Sequence, residues 1–529
     1  MSTMTMNNWG IPGEAELEQL ANSLFPDFDP QRCADGIEKL AATGDTSVIY
    51  EAAAKAESLF GGGYCTEYEA LAEELMNGAA AETAQPAPVQ QNGYSPAVLS
   101  ESQAASYIPK AAAQTAAPVS RSNNVIVGTK TLEQIRSDFP ILKEVINGHP
   151  LVWLDNGATT QRPQAVIDRL SYYYAHENSN VHRGAHELAA RSTDAYERAR
   201  QITADFIGAP SKDNIVFVRG TTEGINLVAN AYVKPLLKPG DEIILTILEH
   251  HANIVPWQLV AEETGAVLKV VPCDESGQLI LSEYEKLFTR RTKFVSAAHV
   301  SNVLGTVTPV AELIAIAHAH GVPVLIDGAQ SVAHIPVNVT ALDADFFVFS
   351  GHKIFAPTGI GALYGKSELL EAARPYHGGG NMIKDVTFER TIYNPAPKKF
   401  EAGTGSIADA VGLGAALEYL NAVGMPAVNK HEHDLLVYGM SELRKINGLH
   451  LIGTASDKAS VLSFVLDGHS NEEVGARLNE LGIAVRTGHH CAQPVLRRFG
   501  LEGTVRPTLA LYNSFEDIDA LVKGIRTLS

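Results

Sequence analysis

The spacing of hydrophobic positions changes character along the chain, and the changes divide it. Between Glu14 and Met76 the pattern is helical: "EAELEQLANSLF" puts Leu17, Leu20, Leu24 and Phe25 on one face, and "EYEALAEELM" does the same with Tyr68, Leu71, Leu75 and Met76. "NGAAAETAQPAPVQQNGYSPAVLSESQAASYIPKAAAQTAAPVSRSNN" follows with no periodicity and few large apolar groups. Such a stretch buries too little to offset the entropy of ordering, and it reads as a flexible linker with short islands such as "YIP". From about Val125, short apolar runs alternate with helical segments: "NIVFVRG", "DEIILTI", "TKFVSAAHV", "VPVLIDGAQ" and "DADFFVFSGHK". Strands that are apolar throughout, separated by amphipathic helices, predict an α/β unit whose mostly parallel sheet is covered on both faces. The final ~130 residues predict a smaller α+β unit that includes "ASVLSFVLDG" and "VRTGHHCAQP". The expected divisions are therefore an acidic, partly helical extension at 1–77, a linker at 78–124, and a main unit at 125–529. Within the main unit we expect a large domain at about 150–390 and a small one at about 125–149 and 391–529.

Composition narrows the class. A chain of 529 residues with 45% apolar and 19% charged residues has the make-up of a multi-unit globular protein. No apolar run is long enough to span a bilayer, and "MSTMTMNNWGIPGEAELEQL" lacks a basic segment followed by an apolar one, so no membrane partner is expected. A net charge of −19 argues against nucleic acid, whose phosphates need basic surface. Residues 1–125 hold 16 acidic and 5 basic side chains, more than half of that excess, which marks a separate region. Cys33, Cys65, Cys273 and Cys491 form no CxxC pair, and a reducing, cytoplasmic setting fits them best.

The polar residues fall where a parallel sheet would use them, beyond the carboxyl ends of its strands. "NIVFV" runs into Gly220, Thr221 and Thr222 at a helix start, a hydroxyl-bearing anion cradle. "EIILTIL" ends in Glu249, His250 and His251; "TKFVSAAHV" in Ser301 and Asn302; "VPVLI" in Asp327 and Gln330; "ADFFVF" in Ser350, His352 and Lys353. Taken singly these are helix caps, turn formers or half-buried histidines. Together, one lysine, one carboxylate, a flat imidazole and a phosphate cradle suit pyridoxal 5'-phosphate. In "VRTGHHCAQP", Cys491 follows Arg486 and two histidines, a setting for a nucleophile of lowered pKa. Adjacent His489, His490 and Cys491 rarely converge on one ion, and no complementary ligand cluster is visible, so no metal is expected.

"FVRGTTEGINLVAN", "EHHANIVPWQ", "HVSNVLGT", "IDGAQ", "FSGHKIFAPTGIGALYG", "FEAGT" and "VRTGHHCAQP" closely resemble the SufS-type (group II) cysteine desulfurases, class V aminotransferase-like enzymes of pyridoxal-phosphate fold type I. The resemblance runs from about Val125 to Ser529. It implies that Lys353 joins the cofactor aldehyde, Asp327 pairs with the ring nitrogen, Gln330 meets the phenolic oxygen and His250 stacks on the ring. Thr221, Thr222, Ser350 and His352 would hold the phosphate, with Thr404 reaching in from the second subunit of a homodimer. Asn302, Arg506 and Arg486 would orient L-cysteine, His182 and Arg183 would lie at the pocket mouth, and Cys491 would carry the sulfur to an acceptor protein or reductant. Three departures stand out: Gly157 in "LDNGATT" where Ala is usual, "EAGTGSIADA" for the commoner "EAGTPN", and Pro507 after Arg506. A selenocysteine lyase would share nearly every residue, a class V aminotransferase would not need Cys491, and an interaction protein with a passive catalytic unit would need neither it nor Lys353. The acidic extension and linker resemble, in layout and composition, those of cysteine desulfurases carried as cargo inside encapsulin shells.

Overall fold

The computed structural model describes residues 125–181 and 185–528. The helical patterns before residue 77, the linker, His182 and Arg183 lie outside the described residues. Seven strands make the central sheet: β1 (Ile215–Val218), β2 (Glu242–Thr246), β3 (Val267–Val271), β4 (Thr292–Ala298), β5 (Val324–Asp327), β6 (Phe346–Ser350) and β7 (Gly361–Gly365). Their order is β1-β7-β6-β5-β4-β2-β3, with β7 antiparallel to both neighbours and every other pairing parallel. The hydrophobic pattern singles out β1, β2, β4, β5 and β6 but neither β3 nor β7. β3 is an edge strand with Val267 and Val270 exposed, so its alternation is blurred. β7 is "GALYG", and its first glycine answers to packing: a Cβ on Gly361 would lie 2.5 Å from the Phe349 carbonyl and 2.7 Å from Gly220 Cα.

Among the described helices that accompany the sheet are α1 (Gln164–His176), α2 (Glu187–Phe206), α3 (Thr221–Leu227), α4 (Val255–Thr264), α5 (Val310–Ala319), α6 (Ile407–Val423) and α7 (Met425–Leu443). Successive strand residues go to opposite faces. Val216, Val218, Leu325, Phe346 and Val348 join a core with Ile225 of α3 and Trp257 of α4. Ile215, Phe217, Ile326, Phe347 and Phe349 join another with Tyr196 of α2, Leu313 of α5 and Leu417 of α6. Both faces are covered, which is why the strands carry no polar alternation.

Four antiparallel strands form the smaller sheet in the order β8-β9-β11-β10: β8 (Leu449–Leu451), β9 (Phe464–Leu466), β10 (Arg486–Gly488) and β11 (Thr504–Arg506). It packs with α8 (Asn471–Glu480) and α9 (Phe515–Ile525) through Phe464, Val474, Leu478, Val505, Ile518 and Leu521. The structure places α6 differently from the expected division at 390/391. That helix is apolar nearly all round, with Val411, Leu413, Leu417 and Leu420 buried among α1 and α2 of the large unit. α6 and α7 meet at a 76° bend, and no single described helix is long and apolar enough to cross a membrane.

The units are joined at the loop after β4. Four successive carbonyls there each accept a hydrogen bond from the C-terminal unit: Asn302 from Arg506 Nη1 at 2.9 Å, Val303 from Ser463 Oγ, Leu304 from Lys458 Nζ, and Gly305 from Ala459 N at 2.8 Å. A second fastening is Glu401, whose carboxylate accepts both Arg200 Nη1 (2.6 Å) and Nη2 (2.9 Å), Phe217 N (2.9 Å) and the Tyr196 hydroxyl (3.1 Å). Arg200 is 1% exposed, so removing it leaves a buried carboxylate without its cation. Arg200→Met should cost roughly 3–5 kcal/mol, read as a lowered urea midpoint; an unchanged midpoint would mean the pair contributes nothing net.

Candidate active site

The carboxyl ends of the central strands open onto a cavity of about 290 Å³. Its floor is the lysine turn after β6. Burial, reinforced by the Arg506 charge, pulls the Lys353 amine down to about 8, against the opposing pull of Asp327 and Cys491. Burial pushes the Asp327 carboxyl up, while the Ala329 amide (2.9 Å) and Lys353 hold it down. Ser350 Oγ accepts from Thr221 N (2.8 Å) and donates to Thr221 Oγ1 (2.9 Å), fixing the hydroxyl cradle at the start of α3, where Thr222 also borders the cavity. His352 beside it is brought to about 4 by burial and the Lys353 charge. Gln330 Nε2 donates to the Gly157 carbonyl at 2.7 Å.

His250 caps the turn after β2. Its Nδ1 accepts from Ala252 N at 3.0 Å, so the neutral ring carries its proton on Nε2. Burial and the Lys353 charge drive its pKa to about 3, which keeps the imidazole uncharged. Behind it Glu249 is fully buried, accepting from Thr246 Oγ1 (2.5 Å), Asn253 Nδ2 (2.5 Å) and Ala298 N (2.9 Å). Burial raises that carboxyl to about 8 despite those three donors.

The opposite wall comes from the smaller unit. Cys491 is a half-buried free thiol, Arg506 is 3% exposed, and both border the cavity with Asn302 and Arg486. Asn302 Nδ2 donates to the His490 carbonyl at 2.7 Å. Asp155 lies between two guanidiniums, 2.9 Å from Arg486 and 3.4 Å from Arg506. This alters one expectation. Arg486 was to supply positive charge to the thiol together with the histidines, yet burial takes His490 to about 3, and Arg486 shares Asp155 with Arg506. Lys353 and Arg506 border the same cavity as the thiol.

Twelve of the residues singled out in the sequence thus border one cavity. Thr404 does not: its hydroxyl is exposed and donates to Asn180 Oδ1 at 3.3 Å. His182 and Arg183 lie outside the described residues. The sequence reading missed Asp155 and the anchoring of Glu249, whose partners are distant in the chain. It noted Gly157 only as a departure, whereas a Cβ there would stand 3.2 Å from the Arg506 guanidinium carbon and 3.0 Å from Thr508 Cγ2.

The residues present fit pyridoxal phosphate on structural grounds. A buried carboxylate, a lysine held near neutrality and a hydroxyl cradle face one space, and Arg506 Nε, Asn302 Oδ1 and His490 Nδ1 are buried without a protein partner. The fold is pyridoxal-phosphate fold type I, and the cavity suits that cofactor. The profile of the Aminotransferase class-V family matches residues 152–521, and the chain belongs to that family. A cysteine desulfurase of Synechococcus elongatus is 64% identical over 397 residues, which is 75% of this chain and 63% of that one. A probable cysteine desulfurase of Vibrio cholerae is 48% identical over 394 residues, 74% of this chain and 97% of that one. Among solved structures, the Escherichia coli cysteine desulfurase CsdA superposes with a TM-score of 0.70 at 40% identity, over 75% of this chain and 98% of that one. The apo cysteine desulfurase of Thermococcus onnurineus gives 0.72 at 37%, over 78% and 99%. The chain spans less than two thirds of the length of the Synechococcus relative.

Glu249 offers a test of the buried network. Its carboxyl is raised from 4.5 to about 8, so the folded state retains a proton that the unfolded chain loses. Its contribution is fully present below about pH 4.5 and is lost as pH rises through 8. Stability of the native chain relative to Glu249→Gln should therefore fall across that window and level off above it. A pH-independent difference in unfolding midpoint would show that Glu249 ionises normally.

Proposed function

We propose that the protein is a pyridoxal-phosphate-dependent cysteine desulfurase that converts L-cysteine to L-alanine and holds the sulfur as a persulfide on Cys491. The observation that carries this reading is a free thiol bordering the same cavity as a lysine of depressed pKa and a buried, incompletely paired arginine. When bound, pyridoxal phosphate supplies an electrophilic aldehyde and a ring that absorbs charge from the substrate α-carbon. Thr221, Thr222, Ser350 and His352 would hold its phosphate, Asp327 would keep the ring nitrogen protonated, Gln330 would meet the phenolic oxygen, and the uncharged His250 would pack on the ring. Arg506, with Asn302, takes the substrate carboxylate, and Arg486 guards the approach. Lys353 Nζ moves the α-proton; near pH 8 it is poised to gain or lose one. The Cys491 thiolate then attacks the substrate sulfur. An S–S bond forms as the C–S bond breaks, the electron pair stays on the carbon side, and protonation there yields L-alanine. Reset requires an acceptor protein or reductant that takes the outer sulfur.

Lys353→Ala should abolish both the visible absorbance of the lysine-bound cofactor and all alanine formation. Cys491→Ser should keep the absorbance and lose sulfide and alanine release from L-cysteine. Alanine formed at the wild-type rate by Cys491→Ser would favour a lyase or aminotransferase acting without the thiol.

The working form in this reading is a homodimer in which Thr404 completes the neighbouring phosphate site. Support comes from its exposure, and from the hairpin Ile383–Val386 and Thr391–Tyr393, which carries exposed Val386, Phe388 and Ile392. Thr404→Ala should weaken cofactor retention in dialysis several-fold, and equal retention would remove the shared site. Residues 1–124 belong to the proposal as a docking tether that packages the cytoplasmic enzyme inside an encapsulin shell, where weak contacts repeated over a multivalent wall suffice. Deleting 1–124 should leave turnover unchanged and abolish co-purification with the shell; packaging of the truncated enzyme would exclude that role.

A further inference from the structure

We propose that His489 and His251 are positioning residues for the Cys491 thiol, their ring nitrogens accepting the backbone N–H groups that hold the thiol loop in its left-handed turn. The inference rests on the cysteine desulfurase reading for its functional meaning. His490 and Cys491 have φ of +52° and +54°, two successive non-glycine residues in a region that costs each roughly 1–2 kcal/mol. Something must hold them there. Cys491 N donates to His489 Nδ1 at 3.0 Å, and the Cys491 carbonyl accepts from His251 N at 2.7 Å. Two residues on, Gln493 N donates to His251 Nε2 at 3.4 Å. The two rings stack, 5.8 Å between centroids and 29° between planes. The far side of the turn is fixed by His490 Nε2 against the Thr504 carbonyl (3.0 Å) and by Asn302 Nδ2 on the His490 carbonyl.

The chemistry of these bonds imposes a protonation state. Nδ1 of His489 and Nε2 of His251 act as acceptors, so each ring must be neutral with its proton on the other nitrogen. A proton added to either accepting atom faces an N–H donor with another donor, and the turn loses its restraint. The surroundings of His251 favour its neutral state. His251 shares its turn with His250, His490 lies next to His489 in the loop, and Arg486 and Arg506 reach His490 from β10 and β11. Burial, and the charge His489 would carry, hold the His251 pKa down. His489→Asn keeps an acceptor for the N–H two residues on, yet does not titrate.

The measurement is alkylation of Cys491 by iodoacetamide in the full-length, cofactor-loaded protein, read on the Cys491 peptide by mass spectrometry between pH 5.5 and 8.5. At the alkaline end His489→Ala should raise the rate about fivefold, the loss of roughly one hydrogen bond, and lower kcat for L-cysteine with KM little changed. His489→Asn should restore both. Dividing the wild-type rate by that of His489→Asn cancels the titration of the thiol itself, and this ratio should climb as pH falls. A ratio flat with pH overturns the proposal. So does an Ala variant that alkylates like wild type, or one that Asn fails to rescue while cofactor absorbance and unfolding midpoint are intact. Alkylation needs no turnover, so absence of alanine formation would refute the cysteine desulfurase reading and leave the positioning result legible.

Discussion

Arg506 is a cation buried to 3% exposure, and a charge so placed must be met from several sides or abandoned by the fold. It is met by Asp155 and by the Asn302 carbonyl, one from each flank of the cavity. That need ties β11 of the smaller sheet to the loop after β4 of the larger one, and the three following carbonyls repeat the bond to Ser463, Lys458 and Ala459. The separation between the two walls is therefore set by four hydrogen bonds to successive carbonyls, three donated by side chains and one by the Ala459 amide. Cys491 inherits its placement from the same loop, through Asn302 and the His490 carbonyl.

Within that frame the electrostatics are economical. Three imidazoles, His250, His352 and His490, border the cavity, and burial holds all of them well below the usual histidine range. They present hydrogen-bonding edges and flat faces without competing for the anions the site would bind. Positive charge is left to Arg506, Arg486 and Lys353, and the last of these is poised between its two protonation states. Charge can then move on the lysine while the histidines stay neutral.

Much of this was legible before any coordinate. Apolar runs buried on both faces leave polar groups only at their ends, so Asp327, Asn302, His250 and Lys353 announce themselves by position. β7 was not legible, because "GALYG" is shaped by contact with Gly220 and Phe349 and not by strand propensity. The place of α6 was not legible either, since an all-round apolar helix fits any core. The bonds that hold the site join Asp155 to Arg486 and Arg506, Glu249 to Ala298, and His251 to Gln493. No local pattern of residues encodes such pairings.

The interlocked loop after β4 has a consequence for biosynthesis. Strands β1 to β7 leave the ribosome well before residues 457–506, so the residues of the hydroxyl cradle and the lysine turn are made while the Asn302 loop still lacks all four of its carbonyl partners. The half of the pocket with the cradle and the lysine turn is thus translated first, and the half that bears Cys491 last. An interrupted chain ending before β10 has neither Cys491 nor Arg506, so an incomplete product of translation carries the lysine turn without the thiol wall.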